Sequence, residues 1–458
     1  VVRSKVWVAG LAIVSLILVS HDLRAVEPSP RRITLAEAIQ IALARNRTLQ
    51  AVSFEKEAAE AEVGVAKAAM MPRVDAFETF SETDNPVLVF SDILLQQSFS
   101  ERNFAIPSLN YPAPLSNFQS QLQLSLPVYA GGRLLAGLKA ARFGAEAARW
   151  REIRARDQVT YAAVQAYYAA VLAENQLEVV KRALDAARSH LDVTRDLYAH
   201  GMVVQADELR TEVLAGSLEQ QMTTAQSRLR ISWSALAHTL GDEDDFIAPV
   251  ATLPPSFARM PAEKYSLESL TREAESNRPE LKVAAANVGR AQQAVKIALA
   301  DYRPTINFAT TVEDDSEKLV RGGNNFAFFA YARMNLFNGF ATQNRVAAAR
   351  AQLRRAEALA EDVRRAIALE VETAYRTLVA AEQNVLVAQR NSRYASDALR
   401  ILEDRYRSGL VTNVAVLDAQ ATRQQADMQL VEAKVAVLID RASLDLAVGR
   451  HPAEIGER

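Results

Sequence analysis

Two hydrophobic periods alternate along the chain. Apolar residues recur at intervals of three and four from Leu35 to about Ala69, and again from Leu267 to about Ala300. This predicts a helix in each place, stopped by Pro72 and Pro304. The period then shortens to two. In "NFQSQLQLSLPV" (117–128), Phe118, Leu122, Leu124, Leu126 and Val128 alternate with Gln119, Gln121, Gln123 and Ser125. That is a strand with one apolar and one amide-rich face. "RVDAFETFSE" (73–82), "RPTINFATTVE" (303–313) and "NNFAFFAYARMNLF" (324–337) predict three more strands. The helical period returns from Arg133 to Ala199, where glycine occurs only at Gly137 and Gly144, and from Ala341 to Ser408, where neither glycine nor proline occurs. At 1.5 Å per residue each stretch would run roughly 100 Å, too long for an ordinary globular domain. The pattern predicts a coiled-coil-like rod or tube, with Arg142, Glu146 and Arg149 on a solvated face.

The same pattern is written twice. Gly131 and Gly339, Gly201 and Gly409, and Gly241 and Gly449 all differ by 208. In that register Ala140-Ala141-Arg142 falls on Ala348-Ala349-Arg350, and Asp196 and Tyr198 fall on Asp404 and Tyr406. Upstream, Pro72 aligns with Pro304, a difference of 232, and Asn46-Arg47 is matched with Asn277-Arg278. The first unit therefore carries 24 extra residues, the difference between 232 and 208, within a Pro-, Asn- and Ser-rich stretch that reads as a long loop. The predicted organisation is a first unit at 33–241, a linker at 242–265, a second unit at 266–449 and a tail at 450–458. Each unit runs helix, strand, loop, strand, then a long helical hairpin.

Arg3 and Lys5 precede an apolar run from Val6 to Val19, with Ala25 as a cleavage position. That is the layout of a secretory signal peptide over 1–25, an N-terminal membrane anchor being the alternative. With no cysteine after the run, lipid attachment of the bacterial lipoprotein kind is not expected. Charge is balanced, with 53 Lys+Arg against 55 Asp+Glu, so the chain lacks the basic footprint of a nucleic-acid partner. The chain has no cysteine, which excludes disulfides and thiolate metal sites. His21, His190, His200, His238 and His451 lack ligand spacing and read as isolated surface or cap residues. Gly131-Gly132-Arg133 lacks the spacing of a phosphate loop, and no nucleophile–base or paired-carboxylate set stands out. Neither an enzyme, a cofactor nor a metal is expected.

The strands pose an accounting problem. No backbone group can go unpaired in lipid, so a spanning sheet must close into a barrel, which in bacteria takes at least about eight strands. Four per chain is too few. Either the sheet stays out of the membrane, or several chains complete one barrel.

Together these features resemble the TolC-type outer membrane efflux proteins. The resemblance covers about 33–449 and is carried by "LAEAIQIALARN", by "LPVYAGGR" and "MNLFNGFA" after strands, and by "YRSGLVTNVAVLDAQ". It implies a mainly α fold with a small β part: an antiparallel helical tube continuing into a barrel that trimerisation completes. The homotrimer would sit in outer-membrane lipid with its helices in the periplasm. It would passively conduct substrate from an inner-membrane pump through a periplasmic adaptor, or alternatively serve as the exit of type I protein secretion. A periplasmic coiled-coil scaffold without a barrel is the reading from another class. Gly201 and Gly409 would turn the hairpins. The resemblance further implies that the tips, Tyr198, Gly201, Met202 and Val203 with Tyr406, Gly409, Leu410 and Val411, meet the adaptor. Asp418 falls where the family places an acidic ring at the constriction, and Asp207 matches an acidic gate position. Val411 and Ala415 stand where some family members carry a tip arginine and an earlier aspartate, so a lock would use other residues, such as Arg210 or Arg407.

Overall fold

The computed structural model describes residues 31–241, 247–250, 252–253, 266–319 and 322–450. The expected signal peptide, most of the linker and all of the tail but Arg450 lie outside them.

The first unit comprises β1 (Arg31–Ile33), α1 (Leu35–Arg45), α2 (Arg47–Ala68), β2 (Arg73–Thr83), α3 (Pro86–Leu95), α4 (Ile106–Asn110), β3 (Leu115–Ala130), α5 (Arg133–Ala199) and α6 (Gln205–Leu240). After β4 (Ile247–Pro249) come α7 (Leu267–Asn277), α8 (Pro279–Leu299), β5 (Thr305–Ser316), β6 (Gly323–Arg333), α9 (Ala341–Arg407) and α10 (Asn413–Val448). α5 and α9 are both 67 residues long, and α6 and α10 both 36, each pair displaced by 208. A length of 67 residues corresponds to roughly 100 Å.

Each helix expected upstream of Pro72 and Pro304 is broken in two. Asn46 has φ −62° and ψ 121°, and Arg278 φ −62° and ψ 122°, both extended. Asn46 caps α2 by accepting from Leu49 N, whereas Arg278 is held out of the helical region by Pro279 behind it. The breaks are equivalent at an offset of 232, so matching Asn46-Arg47 with Asn277-Arg278 placed the units one residue out of register. Each break also closes the end of a returning helix. Asn46 Nδ2 donates to Thr239 O at 3.1 Å, and Arg278 Nη1 donates to Leu446 O at 3.0 Å and Ala447 O at 3.2 Å. The buried Arg278 guanidinium is neutralised by Glu280 and Glu370 at 2.9 and 2.8 Å.

The long helices pack through small residues. Ala155, Val159, Ala163, Val164, Tyr167, Ala170 and Val171 of α5 join α1, Leu236 and Leu240 in one core. Ile367, Val371, Ala374, Leu378 and Ala381 of α9 form its counterpart with α7 and α10. The spacing of three and four keeps these residues on one stripe. At Gly289 the α8 backbone lies directly against the Phe143 ring, where a Cβ would stand only 2.7 Å from Cε1. A detail absent from the sequence reading is a parallel pair, β1 with β4, tied across by Arg32, which reaches Glu174 and Pro249 O.

β2, β3, β5 and β6 form one antiparallel sheet in that order, leaving β2 and β6 as its edges. Residues paired across strands share a face. Ala76–Leu122–Val312–Phe326 and Val74–Leu124–Thr310–Phe328 make one face apolar. Asp75–Gln123–Thr311 and Thr79–Gln119–Asp315 make the other polar. Where the chain leaves the sheet, Asp301 binds both Arg133 and Arg345, clamping the starts of α5 and α9 together.

The stretch holding the 24 extra residues is not an open loop. Asn85 caps α3 through Val87 N and Leu88 N, Pro86 presets its first turn, and a helical turn at Glu101–Phe104 precedes α4. Phe99 stacks edge-on against Phe90 and Phe104 at 5.5 and 5.1 Å, giving the insert a small apolar centre.

Candidate functional site

The ends of the hairpins farthest from the sheet bring together most of the residues singled out in the sequence. α5 ends with Gly201 N bonded to Tyr198 O at 2.8 Å and Met202 N to Leu197 O at 2.9 Å. α9 ends identically, with Gly409 N on Tyr406 O and Leu410 N on Arg405 O, both 2.9 Å. These paired bonds complete a Schellman motif, which needs a left-handed residue between them. Gly201 and Gly409 both have φ +68°, and open space surrounds each, so conformation alone demands glycine there.

The motif sorts the apolar residues that follow it. Met202 and Leu410 project outward, 65% and 73% exposed. Val203 and Val411, expected to meet the adaptor beside them, are half-buried instead and pack onto Leu399, Tyr406 and Val416. The two tyrosines also part company. Tyr198 is 41% exposed, whereas Tyr406 is 4% exposed, with its ring 5.0 Å from that of His190. Burial pushes the Tyr406 phenol up, and its hydroxyl makes no hydrogen bond of normal geometry, with Thr194 beside it.

The hairpins are joined by an uncharged network. Asn413, the first residue of α10, is buried between α5 and α6. Its Oδ1 lies 2.8 Å from His190 Nε2, and its Nδ2 donates to Asp207 O at 2.8 Å and Thr211 Oγ1 at 3.1 Å. Thr211 Oγ1 in turn donates to Asp207 O at 2.9 Å. His190 is therefore a core residue and not the surface or cap histidine expected. Burial lowers its pKa, with Asn413 and Glu403 acting against that effect. Thr211 and Asn413 were not singled out in the sequence, and His190 was read there only as a surface or cap residue. The one available signal was that His190 falls on the apolar stripe of α5, with Ala187, Leu191 and Thr194.

Asp207 is half-buried in the first turn of α6, and its main-chain carbonyl takes part in the junction. Neither arginine considered for a lock pairs with it within the chain. Arg407 lies 3.7 Å from Asp404 on its own helix, while Arg210 lines a shallow groove with Leu209, Val213, Val414, Leu417 and Asp418. Asp418 is exposed there, about a turn and a half into α10. Among the described residues no group of three or more His, Asp or Glu side chains could hold a metal ion, and no helix is long and apolar enough to cross a membrane.

The family model described as "Outer membrane efflux protein" matches residues 38–242 and 270–450, most of the chain and both units. The chain belongs to the outer membrane efflux protein family. Like its family, it is an outer-membrane transport channel and not an enzyme. Solved structures share the fold. CusC superposes with a TM-score of 0.79 at 18% identity, over 91% of this chain and 92% of that one. VceC of Vibrio cholerae gives 0.74 at 19%, over 91% and 96%. The CmeC outer membrane channel of Campylobacter jejuni gives 0.78 at 17%, over 91% and 85%. By sequence, Protein CyaE of Bordetella pertussis is 31% identical over 189 residues, 40% of this chain and 38% of that protein's length.

Proposed function

We propose that three copies of this chain close a twelve-stranded barrel in the outer membrane and form a passive exit duct, fed by an inner-membrane pump through a periplasmic adaptor. The observation that carries this reading is the four-stranded sheet, whose β2 and β6 edges are unpaired among the described residues. Val74, Leu122, Val312, Phe326 and Phe328 are exposed on its apolar face. Unpaired edges and an apolar face together are untenable for a lone chain in either water or lipid. Joining β2 of one protomer to β6 of the next satisfies both, with the apolar face toward lipid and the Gln119–Gln121–Gln123 face toward the lumen. Strands of 11 to 16 residues are long enough to span.

Substrate enters at the hairpin tips. Met202 and Leu410, held outward by the Schellman turns, offer the adaptor its apolar contact. Tyr198 flanks that surface, while Gly201 and Gly409 shape it and Val203, Val411 and Tyr406 support it from behind. Asp418 is the acidic gate residue, and three copies about the axis would repel one another and favour cations. Asp207 contributes to closure through its carbonyl, within the Asn413 network that docks one hairpin on the other. Outer-membrane fractionation with heat-modifiable migration tests the assembly, and a soluble, detergent-independent monomer refutes it. Introducing charge with Leu410→Glu should abolish efflux and leave the trimer intact, whereas undiminished efflux removes the tip contact.

A further inference from the structure

The insert has no counterpart in the second unit, and a passive duct does not require it. α3 and α4 lie at the end of the sheet remote from the long helices, since β2 departs from the helical end at Arg73 and reaches the insert at Thr83. With the helices in the periplasm, this is the outer end. The insert folds toward the polar face there. Gln96 Nε2 donates to Ser116 O and Asn117 Oδ1, both at 3.0 Å, and Gln97 Nε2 donates to Asn324 O at 3.1 Å. Asn325 Nδ2 donates back to Leu95 O at 3.1 Å.

The register decides which face this is. Asn117 lies on the same face of β3 as Gln119 and Gln121, and Asn325 stands opposite Glu313, so both belong to the polar face. The apolar face stays exposed at Leu122, Val312 and Phe326. Docking buries Asn117 and Asp315, and Asn117 Nδ2 donates to Asp315 Oδ1 at 2.8 Å while Asp315 Oδ2 is left unpartnered. Two backbone features fix the approach. Gln97 turns with φ +55°, a conformation uncommon for a residue with a side chain. A side chain at Gly323 would collide with the Leu95 carbonyl. A loop tethered outside the barrel would need neither.

We infer that the insert is an inward-folded cap that narrows the outer mouth of the duct and restricts passage to small solutes, excluding polymers. Gln96, Gln97 and Asn325 are its positioning residues. The inference rests on the duct reading, which assigns the polar face to the lumen.

The chain's lack of cysteine allows a direct test in whole cells with Gln123→Cys, on the polar face deeper than the cap. A small methanethiosulfonate should label it. A polyethylene-glycol maleimide, which can enter only from outside, should react at least about tenfold more slowly than with the same cysteine in unfolded protein, because packed walls exclude bulk. Removing residues 86–110 should restore polymer labelling, as should Gln96→Ala combined with Asn325→Ala, which retains the insert. Free polymer access in the otherwise unaltered protein, or continued exclusion in both uncapped variants, overturns the cap and leaves the duct standing. Failure of the small reagent would show that Gln123 does not face a lumen, and would overturn the duct reading itself.

Discussion

Replacing Asn413 by alanine is the sharpest probe of how the two hairpins are held together at the tip. The side chain bonds His190 at 2.8 Å, Asp207 O at 2.8 Å and Thr211 Oγ1 at 3.1 Å, all on the other hairpin. A buried hydrogen bond contributes about 1 kcal/mol net, and a buried group left without a partner costs about 1–3 kcal/mol. Thr211 keeps its bond to Asp207 O, so His190 bears most of the second cost. Counting only the net contributions of the three bonds, about 3 kcal/mol of docking energy is lost, which raises the undocked population roughly 150-fold. The loss is local, because the cores around Val164 and Val371 lie far along the helices and are untouched. Hydrogen exchange of amides 405–420 in Asn413→Ala should accelerate by about two orders of magnitude, with no change at 363–381. Single-channel conductance in planar bilayers should rise in parallel. Unchanged tip exchange and unchanged conductance would refute the network as the element joining the hairpins.

Gly409→Ala should destabilise the tip by about 1–2 kcal/mol, since only the left-handed φ opposes a side chain there. Gly409→Asn should cost visibly less, as read by hydrogen exchange. Asp418→Asn should reduce cation preference measured by reversal potential, and an unaltered ratio removes Asp418 from the gate. Because the folded pKa of His190 is lowered, its stabilising effect is complete above its ordinary value of about 6.5 and is lost as pH falls through the folded value. Tip protection, taken relative to the unfolded chain at the same pH, should therefore fall on acidification, and His190→Gln should flatten that dependence. Arg278→Ala, which leaves Glu280 to Arg154 and uncovers the Leu446 and Ala447 carbonyls at the end of α10, should cost about 2–3 kcal/mol in denaturant unfolding.

Long-range architecture was legible in the sequence because it rests on period and repetition. The 208-residue offset reappears in the identical lengths of α5 and α9. The alternation of Leu122 and Leu124 with Gln121 and Gln123 reappears as two unlike faces. Local breaks were less legible. Asn46 and Arg278 interrupt apolar patterns that continue on both sides, and they do so by different means, a side-chain cap and a following proline. The insert's Pro and Asn content suggested a loop, yet Asn85 and Pro86 start a helix there. The tip network was invisible for another reason. Its members lie 223 and 202 residues apart, and their chemistry is that of ordinary core polar groups.

The central claim is that β2 of one copy pairs with β6 of another. Placing Glu78→Cys on β2 with single cysteines scanned along 324–330 on β6 tests it directly, since no native thiol interferes. The account predicts that one register oxidises in outer-membrane preparations to a ring of three covalently joined chains, dissociated by reductant. Only intrachain bridges, or no bridge at any register, would contradict it.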